Sequence, residues 1–170
     1  MLQFVNPEEL LNRTTLNRII DIQDYNNPEL IKYMQELTLP IGQRPPQRKW
    51  WEWASLLYGL HKLNLLKPYS KCVSVGAGTE YPLFWIANKK IHTFCIDLYS
   101  DSSKWSGNAP EDFLKNPKNY SPIPTDDNFL LPMYMSGTEL NFADNTFDFA
   151  FSMSSDRKST RLNSSHESPS

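Results

Sequence analysis

Short apolar runs, separated by polar segments, organise the chain from about residue 71 onward. They are KCVSV (71–75), IHTFCID (91–97), LLPMYM (130–135) and FDFAFSM (147–153). The first two are joined by EYPLFWIANKK, which is typical of a helix with Pro82 in its first turn and Thr79 as its cap. Strands alternating with helical segments predict a parallel sheet with right-handed crossovers. Pro132 in the third run suits an edge strand.

Helical signals dominate the first 65 residues. Asn6-Pro7-Glu8-Glu9 and Asn27-Pro28-Glu29-Leu30 each combine a capping Asn with proline at the first helical position. We expect helices to begin at both places, the second running to about Leu37. Apolar residues at near-helical spacing predict a longer helix from Gln47 to Leu65, ended by Lys67-Pro68.

Composition and charge narrow the class of protein. The chain of 170 residues is 39% hydrophobic and 21% charged, which is ordinary for a soluble globular protein. Its formal net charge of -2 supplies no basic field, so we expect no nucleic-acid partner. No run approaches the ~18 apolar residues of a membrane span, and the acidic, proline-containing start does not resemble a signal peptide.

The cysteines and histidines do not indicate a metal site. Cys72 and Cys95 lie inside apolar runs, and we interpret them as small buried residues in a reducing compartment. No Cys-x-x-Cys spacing accompanies the three histidines. We therefore expect a cytoplasmic protein with no metal ion and no membrane partner.

The segment VSVGAGTEYPLFWIANKKIHTFCIDLY carries the chemical signal. Its first strand ends in Gly76-Ala77-Gly78, and its second strand ends in Asp97, 21 residues after Gly76. Glycines permit a tight turn and the close approach of a ligand to the backbone. An acidic residue at this spacing binds ribose hydroxyls in nucleotide-binding βαβ units. The segment therefore predicts a nucleotide or nucleoside site.

The kind of nucleotide follows less directly from these residues. A dinucleotide fingerprint has a small residue at the sixth position of the glycine motif, where this chain has Tyr81. A phosphate loop would need Gly-Lys-Ser/Thr, which the sequence lacks. Two interpretations of the whole chain stay open beside a nucleoside-binding enzyme. One is a nicotinamide-dependent oxidoreductase, and the other is a non-functional fragment that binds nothing.

The segments VSVGAGTE, CIDLY and LNFADNTFDFAFSMSS resemble motif I, the acidic end of the second strand and the fourth-strand region of class I S-adenosylmethionine-dependent methyltransferases. RKWWEWASLLYGLHKLNLLKP is similar to the helix that precedes motif I in bacterial members. The resemblance covers roughly Arg48 to Ser155. It implies a Rossmann-like sheet of order 3-2-1-4-5-7-6, with helices on both faces, and methyl transfer from S-adenosylmethionine to a small-molecule acceptor.

The resemblance also implies which residues bind the cofactor. Asp97 would hold the ribose, and Leu98 would pack on the adenine. The full set is Gly76, Ala77, Gly78 and Glu80 in the first segment, Asp97 and Leu98 in the second, and Ser136, Gly137 and Thr138 near the adenine edge. The catalytic residues and the oligomeric state stay unassigned.

Three positions depart from the family pattern. Ser74 stands where an acidic residue is frequent, Glu80 replaces a third glycine, and Ser136 replaces an Asp. Glu80 either substitutes for the missing acid near the cofactor's amino group or only suits the helix dipole.

Polar residues outside the motif have simpler interpretations. Tyr99, Trp105 and Tyr120 follow Asp97 in a polar segment, where they either stack on a substrate or anchor the segment. Asp148 is expected to stabilise local backbone.

The polar tail DRKSTRLNSSHESPS (156–170) follows the fourth apolar run directly. Its first eleven residues match the translation of a common sequencing-library adapter, so we expect residues 156–170 to be a disordered artefact. The chain would then comprise a helical segment (1–46) and a partial methyltransferase domain (47–155). Its α/β sheet would be truncated after the fourth strand, leaving that strand at an edge with unpaired backbone groups.

Overall fold

The computed structural model of the protein describes residues 22–40, 47–100 and 107–153. The chain divides into two compact units, one ending at Leu65 and one beginning at Leu66. The helix start predicted at Asn6 and the tail predicted from residue 156 lie outside the described residues. The domain boundaries predicted after residues 46 and 155 stay predictions.

The first unit is helical. A short 3-10 helix, Ile22–Asn26, precedes helix α1 (Pro28–Glu36) and helix α2 (Arg48–Lys62). The predicted capping signal of α1 is confirmed, because the Asn27 side chain accepts a hydrogen bond from the Glu29 N–H at 3.0 Å. None of the helices in the described part of the chain is long and apolar enough to cross a membrane.

A partly buried hydrogen bond joins the 3-10 helix to α2. The Trp51 indole N–H donates to Asp24 Oδ2 at 2.8 Å, and Asp24 is only 5% exposed. A buried carboxylate needs such donors, because burial removes its hydration. The bond therefore fixes the 3-10 helix against the first turn of α2.

Helix α2 ends earlier than the sequence predicts. Its last residue is Lys62 instead of Leu65, and Asn64 has a left-handed backbone with φ +55°. Asn adopts this conformation more readily than other non-glycine residues, so it ends the helix before Lys67-Pro68 is reached.

The second unit contains a four-stranded parallel sheet. Its strands are β1 (Lys71–Val75), β2 (His92–Asp97), β3 (Leu130–Tyr134) and β4 (Phe149–Phe151), and helix α3 (Tyr81–Ala87) joins β1 to β2. The strand order is β3-β2-β1-β4, and every pairing is parallel. The predicted α/β class and the 3-2-1-4 order are confirmed, as is the edge position of Pro132.

The main core of this unit packs α3 against the sheet. A 3-10 helix, Glu111–Leu114, contributes Phe113 to this core. Phe113 contacts Phe84 edge to face, with ring centroids 6.1 Å apart. The buried members are Ala77, Leu83, Phe84, Ala87, Cys95, Tyr99, Ala109, Phe113 and Leu130.

Strand β4 is shorter than predicted. The apolar run begins at Phe147, but the strand begins at Phe149. Phe147 instead packs against Phe94 and Phe142, with ring centroids 5.2 and 4.8 Å away. Phe147 therefore packs with aromatic residues distant in sequence and is not part of strand β4.

Both cysteines are buried and unbridged, as the sequence predicts. Cys72 and Cys95 are 0% exposed and free. Burial raises the pKa of the Cys72 thiol to about 12 and that of Cys95 well above its ordinary value. Neutral thiols of this kind are inert packing residues.

Candidate functional site

The glycine loop, residues 76–79, leaves the carboxyl end of β1 in a left-handed conformation. Gly76 has φ +66° and Gly78 has φ +51°. A Cβ atom added to Gly78 would lie 2.6 Å from the backbone oxygen of Asn108. Position 78 therefore requires glycine for two reasons, its dihedral angle and the approach of a second backbone segment.

Asp97 ends β2 beside this loop. Its Oδ2 accepts a hydrogen bond from the Gly78 N–H at 2.8 Å, and its Oδ1 accepts one from the Leu98 N–H at 2.8 Å. An ionised carboxylate has about four lone-pair sites, so both oxygens keep capacity for a further donor. The structure thus brings the predicted glycines and the predicted acid into direct contact.

The third predicted segment reaches the same end of the sheet. Strand β3 ends at Tyr134, and the following Met135 N–H donates to the Asp97 carbonyl oxygen at 3.2 Å. A Cβ atom on Gly137 would lie 2.7 Å from Val75 Cγ1, so this loop passes close to the end of β1. A side chain at position 137 would therefore require the Val75 side chain to shift.

Two hydroxyl groups flank Gly137. Ser136 Oγ and Thr138 Oγ1 lie 2.8 Å apart, and the Thr138 N–H donates to Ser136 Oγ at 3.3 Å. Thr138 is exposed and Ser136 is half-buried. All three segments that the sequence singled out therefore meet at the carboxyl end of the sheet, where ligands bind in open parallel α/β sheets.

Apolar side chains are exposed around this group. Leu98 is 49% exposed and Tyr134 is 64% exposed. Tyr134 pairs in register with Asp97. Tyr134 is not among the predicted site residues, although its place at the last position of a strand beside the acidic strand end identifies it.

Glu80, not the predicted Thr79, is the N-cap of α3, and its side chain makes no capping hydrogen bond. The Thr79 hydroxyl instead contacts the Asn108 carbonyl oxygen at 3.5 Å, so the helix starts one residue later than predicted. Glu80 is half-buried. A carboxylate therefore stands at the start of the helix, next to the glycine loop.

Two backbone amides of the glycine loop, those of Ala77 and Gly78, already have partners. The Ala77 N–H donates to the Ile96 carbonyl at 3.0 Å, and the Gly78 N–H donates to Asp97. A loop that binds pyrophosphate points such amides at the phosphates. With these two amides used and two carboxylates nearby, the site favours a neutral or cationic group over an anion.

The polar segment after β2 is anchored from within. Tyr99 is 2% exposed, and its hydroxyl donates to the Gly78 carbonyl oxygen at 3.1 Å. The Tyr120 ring packs on Phe113 with centroids 5.6 Å apart, and its hydroxyl donates to Asp112 at 3.3 Å. The anchoring interpretation is thus confirmed for both tyrosines, and Trp105 lies outside the described residues.

Asp148 has the structural role that the sequence predicts. Its Oδ2 accepts a hydrogen bond from the Lys71 N–H at 2.8 Å, and its own N–H donates to the Lys71 carbonyl at 2.9 Å. Lys71 is the first residue of β1, so Asp148 lies at the amino end of the sheet, away from the glycine loop.

No protein-family model, curated protein or solved structure shows significant similarity to the chain. The function is therefore inferred from the residues that meet at the carboxyl end of the sheet.

Proposed function

We propose that the chain binds S-adenosylmethionine at the carboxyl end of its sheet and acts as a methyltransferase on a small-molecule acceptor. The observation that carries the proposal is the contact between Asp97 and the glycine loop. The carboxylate holds the Gly78 N–H at 2.8 Å and keeps lone pairs for a ligand. The cytoplasm is the proposed location, because two free cysteines fit a reducing compartment.

Asp97 has the chemistry to bind a ribose. The two neighbouring hydroxyls of a ribose are donors, and both oxygens of one carboxylate accept them together. Each such charge-assisted hydrogen bond contributes roughly 1.5–3 kcal/mol. The two backbone N–H donors already on Asp97 orient the carboxylate before a ligand arrives.

The charge around the loop favours S-adenosylmethionine over a nicotinamide dinucleotide. A pyrophosphate would meet the carboxylates of Glu80 and Asp97 and would find the amides of Ala77 and Gly78 occupied. The sulfonium and amino groups of S-adenosylmethionine are cationic, and nearby carboxylates stabilise them. Glu80, the N-cap of α3, is the candidate partner for the amino group.

The remaining predicted residues suit an adenine. Leu98 and Tyr134 expose apolar surface at the strand ends beside Asp97, and a flat base can pack on such surface. The hydroxyls of Ser136 and Thr138 and the backbone at Gly137 supply donors and acceptors for the edge of the base.

When bound, S-adenosylmethionine supplies a methyl group that is activated by the sulfonium. The chain's own contribution is binding and orientation, because such transfers depend mainly on holding the acceptor in line with the methyl group. Ser152 assists by donating to the Val75 carbonyl oxygen at 2.8 Å, which fixes the end of β4 beside the glycine loop.

Calorimetric titration with S-adenosylhomocysteine tests the proposal. We expect saturable binding to the chain, and we expect Asp97→Asn to weaken it by about 2 kcal/mol, roughly thirtyfold. Asparagine keeps one carbonyl acceptor and places an NH2 group where the second oxygen was, so the variant removes the negative charge together with one of the two backbone acceptors.

Asp148→Asn is the matched control. Asp148 also accepts a backbone N–H at 2.8 Å, but at the amino end of the sheet. Its substitution should leave the affinity unchanged. Saturation with NADH and no binding of S-adenosylhomocysteine would replace the proposal with an oxidoreductase, and equal losses in the two variants would remove Asp97 from the ribose site.

A further inference from the structure

The end of β2 holds both backbone groups of one glycine. Asp97 accepts from the Gly78 N–H at 2.8 Å, and two residues later the Tyr99 hydroxyl donates to the Gly78 carbonyl oxygen at 3.1 Å. The hydroxyl also lies 3.5 Å from the Cys95 carbonyl oxygen. A hydroxyl has one proton, and the shorter contact with Gly78 is the stronger hydrogen bond.

The Tyr99 ring is held rigidly. It is 2% exposed and packs on Phe113 with ring centroids 5.2 Å apart. Burial, followed by the nearby Cys95 and Asp97, raises the pKa of Tyr99, so its hydroxyl stays a donor at physiological pH.

We infer that Tyr99 is a positioning residue for cofactor binding, whose hydroxyl holds the Gly78 peptide in the conformation that receives the cofactor. The inference rests on the proposed function. Glycine has the widest choice of backbone conformations, so the loop around Gly78 needs external contacts to stay in one of them. Ordering the loop before the ligand binds removes that cost from the binding free energy.

Tyr99→Phe tests the inference, because it removes the hydroxyl and keeps the buried ring. Losing one neutral hydrogen bond should weaken S-adenosylhomocysteine binding about fivefold. Tyr120→Phe is the matched control, since Tyr120 also packs on Phe113 and also donates one hydroxyl hydrogen bond, to Asp112. Its affinity should equal that of the unaltered chain.

Amide hydrogen exchange of the ligand-free chain gives a second readout. The Gly78 N–H should exchange about fivefold faster in Tyr99→Phe, and at its original rate in Tyr120→Phe, because only the first loses a contact to Gly78. If the unaltered chain binds S-adenosylhomocysteine and Tyr99→Phe binds it with the same affinity, the inference about Tyr99 is overturned and the proposed function stands. An unchanged Gly78 exchange rate would also overturn the inference. No binding by the unaltered chain would overturn the proposed function, and the inference with it.

Discussion

Gly78 combines two constraints in one residue. Its φ of +51° is costly for any residue with a Cβ atom, and that atom would lie 2.6 Å from the Asn108 backbone oxygen. We expect Gly78→Ala to lower the free energy of unfolding by about 2–3 kcal/mol and to abolish S-adenosylhomocysteine binding. Urea denaturation and calorimetry measure the two effects.

Gly107→Ala separates the general effect of replacing a glycine from the effect of this site. A Cβ atom on Gly107 would meet nothing within 4 Å. Its substitution should change the free energy of unfolding by no more than about 0.5 kcal/mol. A similar loss in both variants would show that the contact with Asn108 is unimportant.

Single residues of the site differ in how well the sequence reveals them. Gly76, Gly78 and Asp97 are predictable, because the spacing between a glycine turn and the next strand end is set by one helix and one strand. The role of Tyr99 cannot be predicted in the same way, because its partner is a backbone carbonyl oxygen. Every residue has such an oxygen, so no residue type in the sequence marks the contact. Aromatic character alone leaves stacking on a ligand and anchoring of a loop equally open.

At the scale of elements, strand and helix types follow from the sequence better than their ends do. Each of the four apolar runs forms a strand, and the order of the strands agrees with the prediction. The ends depend on partners elsewhere in the chain. Phe147 leaves β4 to pack against Phe94 and Phe142, and Thr79 leaves the cap of α3 to contact Asn108.

In the first unit, the partly buried hydrogen bond between Trp51 and Asp24 links the 3-10 helix to α2. Trp51→Phe would leave the Asp24 carboxylate, only 5% exposed, without its indole donor at 2.8 Å. We expect the free energy of unfolding of this unit to fall by about 2 kcal/mol. Thermal or urea denaturation of the chain, followed by circular dichroism, measures the loss.

A double-mutant cycle with Asp24→Asn assigns the effect to the bond. Because the two residues interact directly, the double variant should lose clearly less than the sum of the single losses. Strict additivity of the two substitutions would show that the bond contributes nothing to stability.

At the scale of the whole molecule, two buried thiols and a buried phenol make the free energy of unfolding fall at alkaline pH. Burial raises the pKa of Cys72 from an ordinary 9.0 to about 12, and it also raises the pKa values of Cys95 and Tyr99. Between pH 9 and 12 the unfolded chain releases the Cys72 proton and the folded chain keeps it. Stability is therefore independent of this thiol below pH 9 and falls above it.

Urea titrations between pH 7 and pH 10.5 check this dependence. Each of these groups adds a slope of up to about 1.4 kcal/mol per pH unit once its unfolded form ionises. The double variant Cys72→Ala, Cys95→Ala should lose most of the slope and keep only the part due to tyrosines. A free energy of unfolding that stays level up to pH 10.5 in the unaltered chain would contradict the burial of the thiols.

The hydrogen bonds of Asp97 and Asp148 have a shared consequence for strand β1. Asp148 holds the N–H of the strand's first residue, Lys71, and Asp97 holds the N–H of Gly78 just beyond its end. A two-residue slip of β1 would preserve the alternation of its side chains between the two faces of the sheet, so the pleat alone does not oppose such a slip. The two carboxylates would each lose their backbone donor in the slipped arrangement. Together the two carboxylates fix the register of the central strand. They therefore also fix the position at which the glycine loop leaves the sheet.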